Sequence, residues 1–180
     1  MSYEFLATSI VVILLPGTGV LYTLAFGLSR GWRASLLAAT GCTLGILPHM
    51  AASIVGLAAL LHASALAFQL VKYLGVAYLL YMAWSILRDG GALQLEENKC
   101  AAGPVRIVTA GVLINILNPK LPLFFLAFLP QFLPANSAQP TRDLLILGAV
   151  FVATTGAVML TYATAAGTMR RYIVESDRAM

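Results

Sequence analysis

Long apolar stretches without charged side chains follow one another along the chain. Residues 5–29, 34–71, 73–87 and 144–169 contain no Lys, Arg, Asp or Glu, and residues 107–141 contain only Lys120. Since one bilayer crossing needs about 20 apolar residues, the 34–71 stretch must turn within itself, near residues 62–64. The pattern predicts five membrane segments: Glu4–Gly27, Ser35–Leu61, Leu66–Leu87, Val105–Phe132 and Leu144–Met169. The predicted fold is an all-α integral membrane bundle of about five transmembrane helices.

The composition supports this class. Hydrophobic residues make up 60% of the chain and charged residues 10%, with a mean hydropathy of +0.88. Soluble domains carry roughly a quarter charged residues, so a soluble fold is excluded. Cys42 and Cys100 are isolated, which predicts neither a disulfide framework nor a metal site. We also expect no cofactor.

The chain reads as one membrane domain over residues 1–180. Its first half is residues 1–87, residues 88–104 form a polar connecting loop, and residues 105–180 form a shortened second half. Because the first half crosses the membrane three times, the second half starts on the opposite side and runs in the opposite orientation. An odd number of segments per half gives an inverted repeat, as in many secondary transporters. We therefore expect a 3+3 inverted repeat that lacks its sixth helix.

The basic residues fall on one side of this predicted topology. One side receives eight of them: Arg30, Arg33, Arg88, Lys99, Arg106, Arg170, Arg171 and Arg178. The other side receives only Arg142. Because cytoplasmic loops are enriched in Lys and Arg, the N-terminus is predicted outside and the C-terminus in the cytoplasm. A net charge of +4 spread over loops sets topology and does not indicate nucleic-acid binding.

Two helix breaks lie at corresponding places in the two halves. The first is Pro16-Gly17-Thr18-Gly19. Its proline and glycines let the backbone unwind, and the freed groups then need partners in protein or water. We expect a half-helix end that faces a substrate, with Thr18 offering its hydroxyl. The alternative is a packing kink.

The second break, Asn118-Pro119-Lys120, carries the only charge in residues 107–141. Asn115 shares a helix face with Asn118, and the two amides could hold a substrate or a coupling ion. A cation within the bilayer is costly and usually lines a cavity or an ion path. Lys120 is thus a candidate partner for a substrate carboxylate. The alternative is that its long side chain reaches the membrane interface.

His49 lies near the middle of the second segment. Histidine can relay protons near neutral pH, so His49 is a candidate proton relay, and a structural histidine is the alternative. The sequence shows neither a nucleotide-binding lysine motif nor a nucleophile–base set. We therefore expect no enzyme.

Several motifs in one order resemble the LysE/RhtB amino-acid exporters of bacteria. They are LLPGTGVLYT, GLSRGWRASL, GCTLGILPH, VKYLGVAYLLYMAW, NILNPKLPLFFLAFLPQF and the pair Tyr162-Ala163. The resemblance implies a multi-pass inner-membrane protein that exports amino acids or close derivatives, driven by the proton gradient. It also implies that Pro16, Gly17, Gly19, Asn118, Pro119 and Lys120 are the signature residues. Homodimers are compatible with it.

The family has a sixth helix after the Tyr162-Ala163 pair, whereas this chain reaches Met180 through a charged tail. An alternative hypothesis is therefore a truncated, non-transporting membrane remnant or an interaction subunit.

Overall fold

The computed structural model describes residues 2–63, 103–118, 120–134 and 137–177, with isolated positions between 66 and 84. These residues form helices and contain no strand. The helices are α1 (Tyr3–Leu14), α2 (Thr18–Arg30), α3 (Trp32–Leu44), α4 (Leu47–Ala63), α5 (Pro104–Ile116), α6 (Lys120–Ala127), a 3₁₀ helix (Leu129–Phe132) and α7 (Pro140–Asp177). The all-α prediction is confirmed for this part of the chain.

Two helical stretches of the described part are long and apolar enough to cross a membrane: Trp32–Leu57, which runs through α3 into α4, and Pro140–Tyr172 of α7. Two bent pairs pass the same test: α1 with α2, bent by 55°, and α5 with the residues up to Phe132, bent by 56°. These four spans coincide with four of the predicted segments, and both bends fall at the predicted breaks. Most of the third segment, Leu66–Leu87, lies outside the described residues, so the helix count and the inverted repeat stay predictions.

Local sequence explains several helix ends. Ser2 caps α1 by accepting from the Phe5 amide at 3.3 Å, and Pro104 opens α5 at its first position, where no amide donor is needed. α2 and α3 are joined by Gly31 alone, with φ at 84°, a left-handed value that favours glycine.

α7 is longer than the predicted segment Leu144–Met169, because it starts at Pro140 and ends at Asp177. Proline suits the first helical position, and Asp143 in the first turn favours a helix N-terminus. The carboxylate of Asp143 also accepts from the Ser137 hydroxyl at 2.6 Å. These polar residues extend the helix beyond the apolar run.

Small residues bring α3 against α5. A Cβ added to Gly41 would overlap the Val108 carbonyl, and one added to Gly111 would lie 3.0 Å from the Cys42 amide nitrogen. Small residues at crossings let helix backbones approach closely, which is the main source of packing energy between helices in lipid. This crossing positions Asn115, one turn beyond Gly111, against the start of α2.

A second packing region is aromatic. Phe124 of α6 stacks on Phe151 of α7 with ring centroids 4.3 Å apart, and Phe125 meets the same ring edge-on at 5.3 Å. All three side chains are buried. Together they fix α6, the short half of a broken helix, against α7.

Candidate functional site

The first break ends α1 at Leu14 and leaves carbonyl groups without helical partners. Side chains from the second half of the chain bind them. The Lys120 ammonium donates to the Val12 carbonyl at 3.2 Å and to the Leu15 carbonyl at 3.3 Å. The Tyr162 hydroxyl donates to the Leu14 carbonyl at 3.2 Å. Lys120 thus satisfies unwound backbone of the opposite half.

The second break is organised by Asn118, between α5 and α6. Its side-chain oxygen accepts from the Lys120 amide at 3.0 Å and so caps α6. Its amide nitrogen donates to the Thr18 hydroxyl at 3.3 Å. One side chain therefore caps the second break and binds the first break directly.

His49 of α4 contacts the backbone at the end of α5, just before the second break. Its Nε2 is 3.1 Å from the Asn115 carbonyl and 2.9 Å from the Ile116 carbonyl. Both partners are acceptors, so Nε2 carries the proton and donates. The histidine satisfies the carbonyls that end α5.

Asn115 is only 4% exposed and sits where three helices meet. Its amide nitrogen donates to the Cys42 carbonyl of α3. Its oxygen faces α2, because a Cβ added to Gly19 would lie 3.0 Å from that oxygen. Glycine at position 19 therefore leaves room for the amide.

A cavity of about 60 Å³ lies between the two breaks. Its wall includes Gly17, Gly19, Asn115, Asn118 and Lys120 from the predicted set. The remaining lining residues are Val12, Ile13, Leu15, Val20, Ile46, Leu121, Phe124, Phe151, Thr155 and Met159. Pockets for small molecules usually measure about 300–1,000 Å³, whereas this cavity has room for a few waters.

The predicted site residues thus divide into three groups. Five line the cavity, while Thr18 contacts it through Asn118. Pro16 lies in the first break, and His49 binds the Ile116 carbonyl at the end of α5. Neither residue lines the cavity. Pro119 lies outside the described residues. Sequence reasoning did not single out Phe151 and Met159, although their spacing of eight residues on α7 places them on one helix face.

Comparisons with known proteins agree on one family. The sequence model of the LysE type translocator family matches residues 10–180. An uncharacterized membrane protein of Vibrio cholerae is 36% identical over 94% of this chain and 82% of its own length. A homoserine/homoserine lactone efflux protein of Salmonella typhimurium is 30% identical over 95% of this chain and 82% of its length.

A leucine efflux protein of an Enterobacter strain is 29% identical over 81% of this chain and 69% of its own length. No solved structure gives a significant match.

Proposed function

The chain belongs to the LysE-type translocator family, and from this premise we propose that it is a secondary exporter of amino acids or close derivatives. Relatives named for the efflux of homoserine, its lactone and leucine support this substrate class. The proposal includes no catalytic step, since a translocator moves its solute unchanged.

One observation carries the proposal: both helix breaks line the same cavity, and the Lys120 ammonium reaches across from one to the other. Broken helices that meet near the bilayer midplane are where secondary transporters bind substrates. Arg106 lies in the first turn of α5, and the helix runs roughly 15 Å from there to its end at Ile116, just before the break that carries Lys120. We place it deep in the membrane for that reason.

The small size of the cavity requires a step in the transport cycle in which it opens. About 60 Å³ does not hold an amino acid, so the walls must separate before substrate enters. We propose that the two halves rock against each other around the breaks, which opens the cavity to each side in turn. Since no nucleotide site is recognisable in the sequence, we propose the proton gradient as the driving force.

We further propose a bacterial inner-membrane location, with the N-terminus outside and the C-terminus in the cytoplasm. Arg142 near the start of α7 and Arg170 near its end are about 42 Å apart along the helix, enough to lie on opposite membrane faces. The strong bias of basic residues toward the Arg170 side supports this orientation. A homodimer is proposed from the family resemblance alone.

Replacing Lys120 tests the exporter function. We expect Lys120→Ala to lower export of a fed amino acid at least about tenfold, because hydrogen bonds to a charged group are worth about 1.5–3 kcal/mol. Bacteria that lack their own exporters would be fed dipeptides, and amino acids would be measured inside and outside the cells.

Arg142→Ala is the matched control, since it removes a cation outside the cavity. It should export at the wild-type rate. Immunoblots of membranes would establish equal amounts of each protein. Wild-type export by Lys120→Ala would remove the ammonium from the mechanism.

A further inference from the structure

The cavity wall combines two kinds of residue. Its polar groups are Asn115 near the end of α5, Asn118 and Lys120 at the second break, and the backbone at Gly17 and Gly19 of the first break. The rest of the wall is apolar apart from Thr155, whose hydroxyl donates to its own helix at the Phe151 carbonyl, 2.8 Å away. None of the described lining residues is Asp or Glu.

Resting on the proposed function, we propose that this cavity selects amino acids with apolar side chains over those with cationic side chains. The breaks bind the backbone end of the amino acid, and the apolar wall receives its side chain. Cationic amino acids are rejected.

The Lys120 ammonium and the backbone amides at the start of α2 bind the substrate carboxylate in this proposal. Two backbone carbonyls now hold the ammonium, and neither carries a negative charge. Gly17 caps α2 without any side-chain hydrogen bond, and both Gly17 and Gly19 line the cavity. Amide groups at a helix start favour anions, and they add to the attraction of the ammonium.

The α-ammonium of the substrate donates to the side-chain oxygen of Asn115 in this proposal. The amide nitrogen of this 4% exposed side chain is already bound to the Cys42 carbonyl, which turns the oxygen toward the first turn of α2. No described hydrogen bond uses that oxygen. It is therefore an acceptor at the cavity wall, suited to a donor from the substrate.

A cationic side chain on the substrate would meet no carboxylate among the described lining residues. The side chain of an amino acid would pack against Phe124, Phe151 and Met159, which are all buried. A terminal ammonium or guanidinium there would be desolvated without a carboxylate, and Lys120 would repel it. Placing an unpaired cation in such surroundings reduces binding roughly a hundredfold.

The experiment uses the purified full-length protein in lipid vesicles. Vesicles are loaded with labelled leucine or lysine, and efflux rates are compared at equal protein content. We expect leucine to leave roughly a hundredfold faster than lysine. Equal rates for leucine and lysine would overturn the selectivity while leaving the exporter function intact. Failure to move any amino acid would overturn both.

Met159 provides a matched pair of variants, since Glu and Gln are close to Met in length. Met159→Glu supplies the missing carboxylate, and we expect it to raise the lysine-to-leucine rate ratio at least about tenfold. Met159→Gln is polar without charge and should not admit lysine. An unchanged ratio in Met159→Glu would overturn the placement of the substrate side chain, and the wild-type panel decides the selectivity if this variant does not fold.

Discussion

At the scale of single residues, the backbone groups freed by the breaks determine which side chains matter. Lys120, Tyr162 and His49 all donate to carbonyl groups that α1 or α5 leaves open. In lipid such carbonyls have no water to bind, so each donor stabilises the unwound segment. Polar residues in these helices therefore have a structural role in addition to any contact with substrate.

His49 allows the two roles to be separated. Gln places an amide nitrogen close to the position of the histidine Nε2, so we expect His49→Gln to keep the bonds to Asn115 and Ile116. Its melting temperature and export rate should then stay near wild type. His49→Leu loses both bonds, and we expect it to melt earlier by an amount equivalent to about 1–2 kcal/mol.

Thermal unfolding in detergent and vesicle efflux would be measured on both variants. Gln cannot titrate near neutral pH, so it cannot relay a proton. Normal melting with abolished export in His49→Gln would therefore assign the proton relay to His49 and contradict a purely structural role.

At the scale of helices, the crossing of α3 and α5 sets the position of the site. Gly41→Ala would push a methyl group into the Val108 carbonyl, so the two helices must separate. Overpacking of this kind costs about 1–3 kcal/mol. We expect a lower melting temperature and slower export, because Asn115 moves away from α2.

Gly56→Ala is the matched control, since a Cβ at Gly56 of α4 meets no atom within 4 Å. Alanine also favours helix over glycine by about 1 kcal/mol. This variant should melt at or above the wild-type temperature. Equal melting of the two variants would contradict the close α3–α5 contact.

The same scale shows what the sequence could predict. The breaks were predictable at Pro16-Gly17 and Asn118, because proline and glycine have local effects on the backbone. The face of α7 that lines the cavity was not predictable. A membrane helix is largely apolar all round, so hydropathy does not distinguish the face that contacts lipid from the face that contacts protein. Phe124 and Phe151 are 27 residues apart in the sequence, so their stacking is set by the tertiary fold and not by local pattern.

At the scale of the whole molecule, the two halves contact each other directly at their breaks. The Thr18 hydroxyl and the Asn118 amide are 3.3 Å apart, and they belong to different halves. If the halves rock apart to enlarge the cavity, this contact must open in each cycle. A covalent link between the two positions should then stop transport.

This expectation is tested with Thr18→Cys and Asn118→Cys combined, in protein whose Cys42 and Cys100 are replaced by alanine. Asn118→Cys removes both the bond to Thr18 and the cap on α6, a loss of about 1–3 kcal/mol, so the reduced protein should export more slowly than wild type but well above empty vesicles. Oxidation should lower its efflux to the level of empty vesicles, and a reductant should restore it. Mass spectrometry would establish the disulfide. Full export by the oxidised protein would show that both breaks move together as one body, and the rocking of one half against the other would then be wrong.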